Sequence, residues 1–494
     1  MKPAAFAALM ATALSTGCSL APDYVRPDLP VPPAWPVGAA YQTVPPPNAH
    51  GADPIASGET IGWREFFTDP RLRALIGISL RNNRDLRIAT LNVAAAEAQY
   101  HVQRANLFPL IAATGADTIE KMPDNGSGPG PPGTSRIYSL NAGFMSYEID
   151  LFGRVRDLSR QAFEQYLGFA ESRRGAQISL VAEVANAYLT LLADRELLHI
   201  TQQTLANQTS AYQLIKATFD GGSATALALR QAETSVDTAR ANLALYTRQL
   251  AQDENALALL LGQPVPADLP KGLGLDGQGL LANLPVGLPS DLLVKRPDIS
   301  AAEHDLLAAN ANIGAARAAF FPSISLTASG GLMSASLGTL FAGSAATWAF
   351  APQINIPIFT AGQNEANLDL AKARKNIYVA QYEKAIQTAF REVADSLAAR
   401  GTYLNQLAAQ QALVDASADS YRLSYMRFRA GVDSYLPTLD SQRALYSGQQ
   451  SLITLKQAEL ANLITLYKAL GGGWNEHTAS IGTQKGPDTN GMKF

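Results

Sequence analysis

The chain has 494 residues, of which 47% are hydrophobic and only 16% charged, and its formal net charge is −3. Against roughly 25% charged residues in an average soluble domain, that balance offers no polyanion-binding surface and excludes nucleic acid as an expected partner. Five scattered histidines and one cysteine give no metal-ligand spacing and no disulfide framework, so no cofactor is expected.

The single cysteine, Cys18, follows Lys2, an apolar run from Ala4 to Leu14, and the small residues Ser15, Thr16 and Gly17. The run is shorter than the ~20 residues a membrane-spanning helix needs, so residues 1–17 read as a signal peptide. They resemble a bacterial lipoprotein signal, in which Cys18 would become the lipidated first residue of the mature chain. Such signals usually carry leucine three residues before the cysteine, whereas here Leu14 stands four before it and Ser15 takes the slot. The alternative is an ordinary secretory signal with an incidental cysteine. By the same resemblance, Ser19 implies sorting to the outer membrane. Residues 18–60 hold ten of the 28 prolines, in runs such as PVPPAWP and VPPP, and are expected to form an extended tether.

Helical patterning starts at Trp63 and ends at Pro109, with Phe66, Leu72, Leu75, Ile76, Leu80 and Leu86 near one stripe. The period then falls to two. Leu110 to Asp117 and Tyr138 to Leu151 read as strands, and the second slips phase at Met145 as a bulge would make it do. The segment EKMPDNGSGPGPPGTSR between them is a turn-rich exposed loop. Arg154 to about Thr218 contains no proline and predicts a helix on the order of 95 Å long. A turn at Gly221 and Gly222 leads into a second helix from Thr225 to Leu261.

The whole pattern recurs. Tyr212, Phe219, Gly222, Leu227 and Gly262 fall on Tyr421, Phe428, Gly431, Leu436 and Gly471 at a single offset of 209. Pro297 to Ala319 predicts a helix, and Ile324 and Trp348 open two alternating strands. Gln363 to Phe428 is another proline-free rod, and the turn RAGVDS, in which Ser434 can cap the next helix, leads into the last one. The boundaries expected are 61–262 for the first repeat, 263–290 for an equatorial linker, 291–473 for the second repeat and 474–494 for a flexible tail. Lipid tolerates no open sheet edge and about eight strands is the smallest common closed barrel, so four strands per chain require several chains. The alternative is a soluble sandwich with these as edge strands.

The stretches NAGFMSYEIDLFGRVRD, LPSDLLVKRPDISAAEHDLLAANANIGAARAAFFPSISL, YEKAIQTAFREVADSLAAR, FRAGVDSYLPTLDSQRALYS and LYKALGGGW resemble the outer-membrane factor family of multidrug efflux channels. The similarity is to the lipidated OprM/NodT-type branch, related in fold to TolC, and it covers nearly all of Cys18 to Trp474. It implies a mainly helical TolC-like trimeric α/β-barrel. Four strands per protomer would complete a twelve-stranded outer-membrane barrel, continuous with a long periplasmic helical barrel. It further implies a homotrimer that receives substrate from an inner-membrane RND pump through a periplasmic adaptor, with no enzymatic activity.

The same resemblance puts a periplasmic gate at Leu436, Asp440 and Arg443, which share one helix face by their spacing. An apolar ring with a charged ring beside it is a recurrent gating device. The alternative is a packed leucine and an ordinary surface ion pair worth under ~1 kcal/mol. Their first-repeat counterparts are Leu227, Gln231 and Thr234, so the charges occur in one repeat only. By resemblance, the adaptor docks at Gly221, Gly222 and Ser223 and at Arg429, Ala430, Gly431 and Val432. Gly272, Gly274 and Gly277 spell GxGxxG without a preceding strand or a following helix, which argues against nucleotide binding. A duct for type I protein secretion is the rival function.

Overall fold

A computed structural model describes residues 19–41, 60–122, 133–280, 284, 289 and 296–478. The described elements are α1 (Trp63–Phe66), α2 (Pro70–Asn82), α3 (Arg84–Ala105), β1 (Ile111–Met122), β2 (Gly133–Ile149), α4 (Arg154–Asp220), α5 (Ala226–Leu261), α6 (Pro297–Ala318), β3 (Ser323–Ser334), β4 (Ala346–Asn355), α7 (Gln363–Arg429) and α8 (Leu436–Ala469). The chain divides into two compact units, one of Met1–Asp28, Asn92–Ala170 and Ala301–Tyr382, the other of Leu29–Leu91, Glu171–Ser300 and Glu383–Phe494.

The first unit contains an antiparallel four-stranded sheet in the order β1-β2-β3-β4. Its register sorts the side chains by face. Leu140 pairs with Leu332, Ala142 with Gly330 and Phe144 with Ala328, while Gly330, Ala328 and Ile324 pair with Trp348, Phe350 and Ile354. One face is therefore apolar, and Trp348 and Phe350 are 80% and 60% exposed on it. The opposite face carries Ser323, Ser325, Thr327, Ser329, Thr347 and Gln353. On the apolar face, charge comes only toward the hairpin end, where Arg136 donates to Asp117 at 2.9 and 2.5 Å. The pairing shifts between Phe144 and Tyr147, with Ser146 at φ 55°, so the phase slip at Met145 is indeed a bulge. The sheet has two open edges, β1 and β4.

The described start of the tether is bound along the first unit. Ser19 donates to Asp157 at 2.6 Å, Arg317 to the Leu20 carbonyl at 3.0 Å and Asn310 to the Pro22 carbonyl at 2.7 Å. Arg26 then clasps Glu303 of α6 with two bonds of 2.8 and 2.7 Å, and Tyr24 donates to the same carboxylate.

In the second unit, the helical patterning from Trp63 breaks into α1, α2 and the start of α3. Asp69 caps α2, with Pro70 in its first turn, and Asn83 accepts from the Leu86 amide at 2.9 Å to start α3. Residues 84–105 then match 297–318 at the offset of 213, so α3 and α6 have equal length. Asp69 is 1% exposed and does more than cap. Its Oδ2 accepts from Tyr188 at 3.1 Å, the Leu273 amide at 2.9 Å and Gln278 at 2.7 Å.

The buried Arg296 of RPDI binds Asp298 at 2.7 Å, Glu392 at 2.8 Å and the Ala469 carbonyl at 3.1 Å. Phe66 stacks on Tyr467 at 3.9 Å, and Tyr467 donates to the Ile61 carbonyl at 2.7 Å. Residues 474–478 are held as well, through the Asn475 carbonyl on Trp63 and an ion pair of Arg64 with Glu476 at 2.6 Å. The remainder of the expected tail, residues 479–494, lies outside the described residues. By composition α4 is apolar enough to cross a membrane, but 56% of its most apolar window is buried, the pattern of a core helix.

Burial, with Asp194 of α4 beside it, pushes the Asp253 carboxyl of α5 up to about 6. A carboxyl raised above its unfolded value favours the folded chain at low pH, and that contribution is lost as pH rises from about 4 through 6. Asp253→Asn should therefore stabilise the fold at pH 7.5, on the order of 1 kcal/mol after allowance for partial exposure, seen as a higher melting midpoint, and have almost no effect at pH 4.

Candidate functional site: the paired hairpin tips

Both rods end in the same way. In α4, Gly222 takes φ 77°, its amide donates to the Phe219 carbonyl at 2.8 Å, and the Ser223 amide donates to the Thr218 carbonyl at 2.8 Å. In α7, Gly431 takes φ 71°, with the matching bonds from Gly431 to Phe428 and from Val432 to Arg427 at 2.9 and 3.0 Å. Each is a helix stop that needs a left-handed residue, which explains the two glycines.

The helices that follow begin differently. Thr225 caps α5 by accepting from the Ala228 amide at 3.2 Å. The corresponding Ser434 makes no cap, contrary to expectation: the N-cap position of α8 is Tyr435, which is helical in backbone and caps with no side-chain bond. The turn is held instead by Arg427, which binds Asp433 at 2.5 and 2.9 Å. Tyr435 is drawn into a core with Ile215, Ala232 and Leu439, against which Phe428 and Tyr212 pack. Burial pushes its phenol up to about 12. This core joins the two hairpins. The doubled sequence hinted at it through Tyr212 and Phe428, but nothing local marked Tyr435.

Leu436, Asp440 and Arg443 lie on the exposed side of α8, opposite the buried Leu439. Leu436 is 46% exposed despite its apolar side chain. Asp440 and Arg443 do not pair with one another; Arg443 reaches Ser235 of α5 at 3.4 Å. The ordinary surface ion pair considered from spacing is thus not formed within the chain. The exposed stripe continues through Ser447, Ser451 and Thr454 and is polar there. Gly221, Gly222, Ser223, Arg429, Gly431 and Val432 are all exposed at the tips. Cys18 lies outside the described residues. Gly272, Gly274 and Gly277 fall around a three-residue 3-10 turn, Leu275–Gly277.

A sheet with an apolar outer face and two open edges, joined to long helices that end in matched tips, is one subunit of a TolC-like outer membrane channel. The family model for outer membrane efflux proteins matches residues 75–263 and 288–472, and the chain belongs to that family. The toluene efflux pump outer membrane protein TtgC of Pseudomonas putida is 52% identical over 473 residues, 96% of each chain. OprJ of Pseudomonas aeruginosa is 42% identical over 477 residues, 96% of this chain and 97% of that one. Among solved structures, the open state of the MtrE outer membrane channel of Neisseria gonorrhoeae superposes with a TM-score of 0.83 at 38% identity. It spans 94% of this chain and 100% of that one. The channel CusC gives 0.78 at 40% identity, over 92% and 100%.

Proposed function

We propose that this chain is the outer membrane channel of a tripartite RND-type efflux system, giving passive exit to small toxic compounds delivered by an inner-membrane pump and a periplasmic adaptor. The observation that carries it is the sheet: four strands with an apolar face toward lipid, a small hydroxyl-rich face toward a lumen, and two unpaired edges. Edges cannot stay open in lipid, so three copies joining β1 to β4 into twelve strands is the reading that satisfies them. The relatives' names, which include toluene, solvent and antibiotic efflux pumps of Pseudomonas putida, support small organic compounds as substrates. They also favour efflux over protein secretion.

In this reading Cys18 is lipidated and anchors the chain to the outer membrane. Leu436, Asp440 and Arg443 line the closed periplasmic end, and the tip residues around Gly222 and Gly431 receive the adaptor. The test is the mass of the purified mature protein in detergent, taken together with its conductance in a planar bilayer. A trimer with small, flickering conductance is expected. A monomer, or a trimer that never conducts, would return the protein to an envelope scaffold.

A further inference from the structure

The apolar face of the sheet changes character at one end. Near the helices, from the pair Ile111 and Phe144 to the pair Gly115 and Leu140, its β1 and β2 positions carry no charge. The next three pairs on the same face are Asp117 with Tyr138, Ile119 with Arg136, and Lys121 with Thr134. Arg136 is fixed from two sides. Its Nε and Nη2 donate to Asp117 at 2.9 and 2.5 Å, and its guanidinium lies 4.7 Å over the Tyr138 ring. Both of these partners stand one row nearer the helices. Asp117 takes two of the five guanidinium protons, and Nη1 makes no bond among the described residues.

Lys121 and Thr134 stand one row farther out, both exposed, and neither side chain has a partner among the described residues. On a pleated sheet, directly opposite residues are about 5 Å apart and successive residues on one face about 7 Å. A guanidinium, a hydroxyl and an ammonium therefore converge within reach of one anion the size of a phosphate. With Asp117 counted, the row carries one net positive charge. Below it, exposed Ile119 and Leu140 give an apolar wall.

The height of the row matters as much as its chemistry. At about 3.4 Å per residue and a strand tilt near 40°, Arg136 and Lys121 stand roughly 20–25 Å along the membrane normal from Ile111 and Phe144. That is the full height of the apolar band of an outer-membrane barrel, about 25 Å. With the helices in the periplasm, as the reading above has them and on which this inference rests, the row meets the headgroups of the outer leaflet. We propose that Arg136, Lys121 and Thr134 bind a phosphate of the outer-leaflet glycolipid, lipid A, on the outside of the barrel. Asp117 and Tyr138 orient the guanidinium for it, and the apolar wall beneath takes acyl chain, which selects lipid over free phosphate.

In proteoliposomes of the full-length protein, acetylation of Lys121 read by mass spectrometry should be at least about fivefold slower with lipid A present than in phosphatidylcholine alone, while Lys372 of α7 keeps its rate. Dephosphorylated lipid A and millimolar inorganic phosphate should give no such protection. Arg136→Gln combined with Thr134→Val should abolish it, and Arg240→Gln, on a distant helix, should preserve it. Equal protection by dephosphorylated lipid A would assign the effect to chain packing, and protection by inorganic phosphate alone would make this a free-anion site. Either result overturns the lipid phosphate site, as does acetylation of Lys121 that ignores lipid A. Trimer mass and conductance, measured on the same vesicles, keep this separate from the channel reading. A conducting trimer with unprotected Lys121 removes the lipid site alone, whereas a monomer that never conducts removes both.

Discussion

Asp69→Ala should destabilise the folded chain by about 3–5 kcal/mol. One carboxylate, 1% exposed, serves five donors: the Arg71 and Leu72 amides at the start of α2, Tyr188 of α4, and the Leu273 amide and Gln278 of the linker. Loss of a cap alone costs about 1 kcal/mol, and each buried donor left without an acceptor costs about 1–3 more before relaxation. Asp69→Asn keeps an acceptor for the cap but turns an NH2 toward three other donors, so it should recover only part of the loss. The melting midpoint of the detergent-solubilised protein, followed by circular dichroism, measures both. A loss under ~1 kcal/mol for the alanine variant would show that the linker and α2 are held by packing alone.

Leu436→Ser and Asp440→Ala should each raise the mean single-channel conductance several-fold. Leu436 is apolar yet half exposed, and Asp440 forms no ion pair among the described residues, so in the proposed gate both would close against copies of themselves about a three-fold axis. If the proposed gate is formed by these residues, removing the apolar contact would admit water to the constriction and removing the carboxylate would break the charged ring. Leu227→Ser is the control, because its repeat carries Gln231 and Thr234 in place of the charged pair and should leave conductance unchanged. If neither Leu436→Ser nor Asp440→Ala alters conductance, the gate is not at these residues.

Much of the fold was legible in the order of residues, because the signals involved act over a few positions. Gly222 and Gly431 stop the rods they were expected to stop, and Pro297 opens its helix. The alternation around Ile324 and Trp348 reports a two-faced sheet, and the slip at Met145 reports its bulge. Duplication strengthened the readings of the rods, the turns and the strand pairs by stating them twice. The helical patterning between Trp63 and Pro109 hid two breaks, because Asp69 and Asn83 cap new helices without disturbing the apolar stripe.

What only the tertiary structure decided are the partners of individual side chains. Ser434 was available as a cap, but burying Tyr435 on Phe428 and pairing Asp433 with Arg427 set the turn another way. Asp440 and Arg443 stand at ion-pair spacing, yet Arg443 turns to Ser235, 208 positions earlier in the chain. Asp69 gathers donors from residues 71 to 278, and Glu303 waits for Arg26 across 277 positions. Turns, strands and helix ends depend on neighbours within a few residues and so are written along the sequence. Hydrogen bonds between distant side chains exist only once packing brings them together, and packing resolves which of several competent partners is used.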